Sequence, residues 1–495
     1  MSAYSALEAR FRKRSILGGA SAMLGWDNAV IMPDGGAEER AEQLAVLGVM
    51  GHEMMVDPAI ADFLDAAETE ELDAWQQANV AEMRRQWRHA TALDADLVEA
   101  LSKATSRCEM IWRRARADND FAALGPSLEE VISLTRQGGQ AKAAAFGTSC
   151  YAALLDEYEP GCTEAEIDRL FRDLEAFLPP FLSAVLEKQA AGPGFSRPGG
   201  PFAEDTQKAV GLDLMKALGF DFNRGRLDTS HHPFTGGIPD DVRLTTRYEA
   251  DDFTQSLMGT LHETGHALYE QNLPRQWRHQ PVGAARGMAL HESQSLLVEM
   301  QLSRSPAFLS YVIPKLQKAF GGTGPDWEFE NLMRLYHHVE PGFIRVDADE
   351  VTYPLHVILR YRLEKALLSG DLPLGELPGA WNDGMKELLG VTPPDDRLGC
   401  LQDIHWPGGA IGYFPTYTMG ALAAAQFYNA AEQAIGTLPE QVERGEFTAL
   451  TDWLRTKVHE VGSSRSTNQI LEAATGQPLG TEAFKAHLKR RYLTE

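Results

Sequence analysis

Three side chains in LHETGHALYE, residues 261–270, could do chemistry together: His262, Glu263 and His266. A helix turns about 100° per residue, so the two histidines lie roughly 40° apart on one face, one turn above the other. Two imidazole nitrogens can then converge on one cation. Glu263 sits beside that face, where a carboxylate can take a proton from metal-activated water, which is the mechanics of the H-E-x-x-H pattern. Ordinary helices also carry solvated histidines at this spacing, so the surrounding sequence must supply the rest of a site.

A catalytic zinc takes three protein ligands and keeps one position open. The segment ALHESQSLLVEM, 289–300, offers His291, Glu292 and Glu299. Glu292 shares a helical face with Leu296 and Glu299, and spacing alone does not choose between the two glutamates. A solvated helix face is the competing reading of both, because glutamate is rarely buried without a partner.

The helix that positions the histidines is expected to start near Asp251 or Asp252, either of which can cap it, and to stop before Pro274. Leu257, Leu261, Gly265 and Leu268 form its apolar stripe, which puts the histidines at the boundary between core and cleft. Upstream, in DVRLTTRY, 241–248, Val242, Leu244, Thr246 and Tyr248 alternate with Arg243, Thr245 and Arg247, as in a half-buried strand. Turn residues precede it in HHPFTGGIPD. A small hairpin or sheet is therefore predicted beside the metal helix, with an exposed edge able to hold an extended peptide.

Elsewhere the 3.6-residue rhythm of helices dominates, as in the run beginning at Glu164. The breaker cluster at 190–202 separates an N-terminal helical part, 1–190, from the part carrying the chemistry, 200–495, within one catalytic domain. A formal charge of -24 argues against nucleic acid or an anionic membrane as partner. Cys108, Cys150, Cys162 and Cys400 are scattered and form no C-x-x-C pair, and the first residues lack a secretory pattern, so a cytoplasmic setting is expected. The uncharged stretch from Trp406 to Ala431 has the length of a membrane span, but Pro415, its glycines and its tyrosines suit a buried loop leading into a core helix.

LHETGH, HESQ at 291–294, DVRLT at 241–245, IRVDAD at 344–349 and GCLQDIHW at 399–406 together resemble, in order and spacing, the motif set of the carboxypeptidase Taq family of metallocarboxypeptidases. WDNAVIMPDGGAEER at 26–40, HHPFTGG at 231–237 and GYFPTY at 412–417 extend the resemblance over nearly the whole chain. The resemblance implies Glu292 as third ligand. It also implies a mainly α, multi-helix peptidase fold similar to neurolysin and angiotensin-converting enzyme: two halves flank a deep substrate groove, with a small β-sheet beside the active site. N-terminal helices able to act as a lid, and a homodimer, are further implications.

On that footing His262, His266 and Glu292 would hold one divalent metal, with zinc the default and cobalt or manganese able to replace it. Glu263 is the expected general base. A terminal carboxylate is best met by a guanidinium, and the matched motifs supply Arg345, ranked first, and Arg243. A structural ion pair with Asp349 or Asp241 is the competing role of each. Asp241, Thr245 and Gln402, from the same motifs, join the expected substrate-contacting residues, while Gln402 and Asp403 could also orient ligands from behind. His405, followed by Tyr413 and Tyr417, is similar to the arrangement with which related helical peptidases hold the transition state; the tyrosines could equally be core aromatics. The adjacent pair His337 and His338 cannot easily share an ion, and His232 suits a structural or groove-lining place.

The expected activity is release of single C-terminal residues from peptides with a free C-terminus. A dipeptide-releasing or endo-acting oligopeptidase on the same fold, and a catalytically dead peptide-binding protein, are the alternatives. Loss of a ligand or of Glu263 would mark the last, and none is lost.

Overall fold

The computed structural model of the chain describes residues 2–230 and 232–494; His231, the first residue of the HHPFTGG turn, lies outside the described residues. The N-terminal part consists of helices α1 (Ala3–Val30), α2 (Ala37–Val56), α3 (Ala59–Ala67), α4 (Ala74–Thr91), α5 (Ala95–Asp118), α6 (Phe121–Phe146), α7 (Cys150–Leu155) and α8 (Glu164–Ala191). In α8, Thr163 caps the first turn, and Ile167, Leu170, Phe171, Leu174 and Leu178 recur at helical spacing to bury one face.

Packing divides the chain earlier than the breaker cluster. Tyr4, Leu7, Phe11, Met55, Ile60, Leu64, Val80 and Met83 form a small core among α1–α4. From Ala104 in α5 onward a single continuous core runs to Tyr492. Residues 192–203 are the connection between α8 and α9 (Glu204–Ala217).

Three short strands follow: β1 (Gly225–Thr229), β2 (Thr235–Ile238) and β3 (Asp241–Thr246). The order is β1-β3-β2, so the DVRLTT strand is the centre of the sheet. It runs parallel to β1, with Leu227 opposite Leu244, and antiparallel to β2, with Thr235 opposite Leu244. The edges are therefore β1 and β2, and α1 packs against β2. Val242 and Leu244 point into the core, as the alternation predicts, but Thr245 is buried too, because the HPF turn folds over it.

Helix α10 (Phe253–Gln271) lies against β3 and carries the histidines. Asp252 caps it by accepting the Thr254 N–H at 2.7 Å. Beyond a loop comes α11 (Met288–Leu296), which widens into a π-type segment at Leu297–Leu302. There follow α12 (Pro306–Phe320), α13 (Phe329–Tyr336), α14 (Tyr353–Ser369), α15 (Leu377–Leu389) and α16 (Pro415–Ile435).

Helices α10, α11 and α16 pack in series, and two glycines set their spacing. A Cβ at Gly265 would stand 2.3 Å from the Gln294 carbonyl oxygen, and one at Gly420 would stand 2.7 Å from the Glu292 Cβ. Only a residue without a side chain permits either approach. The uncharged stretch is a series of turns followed by the buried helix α16, and among the described residues no single helix is long and apolar enough to cross a membrane.

Candidate metal centre

Donor atoms of His262, His266 and Glu292 all lie within 4.8 Å of one another. Within the triad, His266 Nε2 approaches Glu292 Oε2 across the two helices to 3.5 Å. Each histidine is held from behind through its other nitrogen. His262 Nδ1 donates to Glu299 Oε2 at 2.9 Å, and Glu299 in turn accepts from Arg304 at 2.8 Å. His266 Nδ1 lies 2.7 Å from Nδ1 of His291, whose Nε2 is 2.9 Å from Glu270 Oε1. With both Nδ1 atoms engaged, the Nε2 lone pairs are the ones left for a cation. The geometry also separates the two glutamates that spacing could not: Glu292 joins the histidines, while Glu299 orients one of them.

Two imidazoles and a carboxylate form the donor set of a three-ligand catalytic zinc site, so the residues fit such an ion. The charge balance fits as well. Burial works against a proton on His262, but the bond to Glu299 and the carboxylates of Glu292 and Glu263 outweigh it and push the imidazole up to about 10. Burial pushes His266 the other way, so the two imidazoles are not protonated together, and the carboxylates of Glu292 and Glu263 are the charges that a divalent metal would balance.

Glu263 is buried beside the triad. Its Oε2 accepts the Thr235 hydroxyl at 2.6 Å, so the edge strand β2 fixes the carboxylate. Thr235 was not singled out by sequence, although it stands within the HHPFTGG motif.

A second polar cluster is built around Asp403. Arg345 approaches its Oδ1 at 3.0 Å and Arg360 its Oδ2 at 2.6 Å, leaving one positive charge from two guanidiniums and one carboxylate. The competing pairing of Arg345 with Asp349 is not made: Asp349 instead accepts from the backbone N–H groups of Val351 and Thr352 in its own turn. The Arg345 guanidinium lies over the Tyr417 ring at 4.7 Å, and its Nη1 donates to the Tyr353 hydroxyl at 3.3 Å. Gln402 spends its carboxamide inside the protein: Oε1 accepts from the Arg345 backbone and from Arg360, and Nε2 donates to the Phe343 and Gly399 carbonyls. It supports the arginines and has no group left for substrate.

His405 Nε2 is 3.2 Å from the Tyr417 hydroxyl, and Tyr413 packs edge-on against Tyr417 with centroids 5.2 Å apart. Burial, with help from Arg345 and Arg360, pushes His405 down to about 4, so its ring is neutral at neutral pH. Burial pushes Tyr417 up to about 12, which keeps its hydroxyl protonated. The loop bearing these groups is tied down by Glu364 of α14, a buried carboxylate that accepts from Tyr151, Trp406 and the Gly412 N–H at 2.7, 3.0 and 3.2 Å.

The remaining candidates sit apart from the donors. Arg243 makes a two-pronged pair with Asp241, 3.0 and 2.6 Å, and lies over Trp26 of α1 at 4.8 Å. Thr245 is fully buried, and its hydroxyl accepts the Phe234 N–H and contacts Ser230, so it braces the turn and does not face a groove. His337 caps α13 and donates to the Arg304 carbonyl at 2.6 Å; His338 lies 3.6 Å from Glu340; His232 is exposed. Arg360, Tyr353 and Glu364 carry no local sequence signal, since each acts through partners distant along the chain.

A mainly helical protein with an HExxH helix, a glutamate from the next helix and a carboxylate wedged between arginines is a metallopeptidase in architecture. The chain belongs to the carboxypeptidase Taq (M32) family of metallopeptidases, which it matches over residues 6–492. It is 38% identical over 494 residues to thermostable carboxypeptidase 1 of Thermus thermophilus, covering 97% of this chain and 96% of that protein. Among solved structures it is similar to Trypanosoma cruzi metallocarboxypeptidase 1, with a TM-score of 0.97, 40% identity and 99% of each chain covered. The M32 carboxypeptidase of Deinococcus radiodurans aligns with a TM-score of 0.93 at 35% identity, over 99% of this chain and 98% of that one. The mainly helical fold and the metal-dependent carboxypeptidase class expected from the motifs thus hold.

Proposed function

We propose that this metallocarboxypeptidase releases single residues from free peptide C-termini, with His262, His266 and Glu292 holding one divalent ion, zinc by donor chemistry, and Glu263 as general base. The observation that carries this reading is the start of α16: Tyr417 lies beneath the Arg345 guanidinium at 4.7 Å, and one turn on, Gly420 makes room for Glu292, whose Cβ would stand 2.7 Å from a Cβ there. One helical turn thus links a carboxylate anchor to a metal ligand. When bound, the metal would polarise the scissile carbonyl and acidify water.

The protein groups do the rest. Arg345 meets the terminal carboxylate, and the surplus positive charge of the Arg345–Asp403–Arg360 set is what that carboxylate neutralises. Glu263, held at Oε2 by Thr235, keeps Oε1 for the proton it takes from water and passes to the leaving amine. Tyr417, protonated and steered by neutral His405, donates to the developing oxyanion, with Tyr413 as its packing partner. Arg243 and Asp241, on the central strand beside α1, line the approach for the upstream peptide.

Pairs of acyl-capped peptides, one with a free and one with an amidated C-terminus, test the reading. Turnover is expected to collapse on amidation; equal turnover of both would favour an endo-acting or dipeptide-releasing enzyme instead. The same reading takes the chain as a homodimer in a reducing compartment. In its favour are Ile16, Ile31, Val46, Val49 and Met50, exposed apolar residues of α1, α2 and the turn between them, and four free thiols. Sedimentation checks the dimer.

A further inference from the structure

We propose that His291 and Glu270 form a relay that holds and polarises His266, a positioning device distinct from the direct carboxylate that serves His262; the inference rests on the metal reading above. Three distances define it: His266 Nε2 to Glu292 Oε2, 3.5 Å; His266 Nδ1 to His291 Nδ1, 2.7 Å; His291 Nε2 to Glu270 Oε1, 2.9 Å.

The tautomers follow from these contacts. A His266 that offers its Nε2 lone pair to a cation carries its proton on Nδ1. The nitrogen facing it, His291 Nδ1, must then accept. A neutral His291 that accepts through Nδ1 carries its own proton on Nε2 and donates it to Glu270. Every hydrogen bond in the chain points away from the cation and towards a carboxylate, so each proton position is set by the one before it. Only one polarity is consistent with a ligating His266.

The path also crosses helices. His266 and Glu270 are one turn apart on α10, and His291 reaches between them from α11, next to the ligand Glu292. The relay therefore laces the two ligand-bearing helices together at the level of the site. Tyr269 walls the His291 ring on one side with centroids 5.4 Å apart, and the hydroxyl of Tyr269 is itself fixed by the Arg286 N–H at 3.2 Å. His291 is thus packed in one orientation. Where His262 is steered by a charged group in contact, His266 is steered by a neutral ring whose basicity is borrowed from a carboxylate one step further out, and that carboxylate is partly open to solvent, with 26% of its side chain exposed.

Zinc affinity of the full chain, measured by competition with a chromophoric chelator, tests this directly without reference to turnover. His291→Phe keeps the ring volume and removes both hydrogen bonds; it is expected to weaken zinc binding about ten- to a hundredfold. His291→Gln, whose carboxamide can accept from His266 and donate to Glu270, is expected to hold most of the affinity, and Glu270→Ala to fall between the two. The absorption spectrum of the cobalt-substituted protein should shift in His291→Phe and not in His291→Gln. Wild-type affinity in folded His291→Phe or Glu270→Ala overturns the relay and would mark His291 as packing alone; equal loss in the Phe and Gln variants overturns it too, because a side chain able to make both hydrogen bonds would then serve no better than one that makes neither. Should His291→Phe fail to fold, Glu270→Ala decides by the same criterion. A wild-type chain that binds no zinc overturns the metal reading itself, and that outcome is separate from a relay that fails while the wild type binds.

Discussion

Thr235 and Glu263 are joined side chain to side chain, 2.6 Å from hydroxyl to carboxylate, and the same hydroxyl lies 3.1 Å from the Glu263 carbonyl oxygen. An edge strand thereby fixes the rotamer of the residue proposed above to move a proton. Glu263→Gln is expected to lose turnover roughly a hundred- to ten-thousandfold while still binding zinc. Thr235→Val, which frees the carboxylate, should lose less, about tenfold to a hundredfold. Kinetics on a blocked dipeptide beside zinc titration check both; a Gln variant with full turnover removes Glu263 from its role.

Glu299 touches no ion in this scheme, yet it orients His262 and neutralises Arg304. Glu299→Ala should weaken zinc about ten- to a hundredfold and also destabilise the fold by about 3 kcal/mol, because a largely buried guanidinium loses its partner. Glu299→Gln, which can still accept from His262, should sit well inside both limits. Chelator competition and thermal melting measure the two effects separately.

Arg345→Lys keeps the positive charge and loses the planar fork. Loss of a charged hydrogen bond is worth about 2 kcal/mol, so kcat/KM on free-C-terminus peptides should fall roughly thirtyfold, mostly through KM. The ratio between free and amidated substrates should shrink by a similar factor. An unchanged ratio would assign the anchor elsewhere.

Burial pushes Glu364 up to about 7 from an ordinary 4.5, against the pull of its three donors. The folded state thus holds this proton more tightly than the unfolded chain does. Its stabilising contribution is complete below 4.5 and is lost as pH rises through 7, on the order of 3 kcal/mol in all. Glu364→Gln carries no charge at any of these values. Its melting temperature should change less between pH 4.5 and 8 than that of the wild type, and parallel curves would refute the assignment.

Gly265→Ala places a methyl group where the Gln294 carbonyl oxygen already stands. Helices α10 and α11 must then part, at a cost of about 1–3 kcal/mol, and the Glu292 carboxylate moves relative to both histidines. Lower stability together with weaker zinc binding is the expected pair of results. Lower stability with unchanged zinc affinity would show that the site does not depend on this contact.

What could be read from the sequence was local. His262, Glu263 and His266 follow from helical spacing, and the cap was narrowed by residue type to Asp251 or Asp252, of which Asp252, ten residues before His262, is the one used. The choice between Glu292 and Glu299 was beyond spacing, because Gly265 and Gly420, through contacts between helices, decide which glutamate enters the cluster. Arg345 drew attention to Asp349 four positions away, whereas its partner Asp403 arrives from a loop beyond two further helices. The alternation in β3 was legible, but its central place was not, since its parallel partner β1 is a five-residue segment, GRLDT, with only Leu227 buried.

As the proposed carboxylate anchor, the Arg345–Asp403–Arg360 set with its unmatched cation would have a kinetic consequence. A grip that recognises a terminal carboxylate and little upstream of it cannot distinguish the tail of a peptide from the amino acid just cut away. The departing product keeps the handle by which its parent was held. Free amino acids are therefore expected to compete with peptide, and product release to share control of the rate with cleavage, wherever they accumulate.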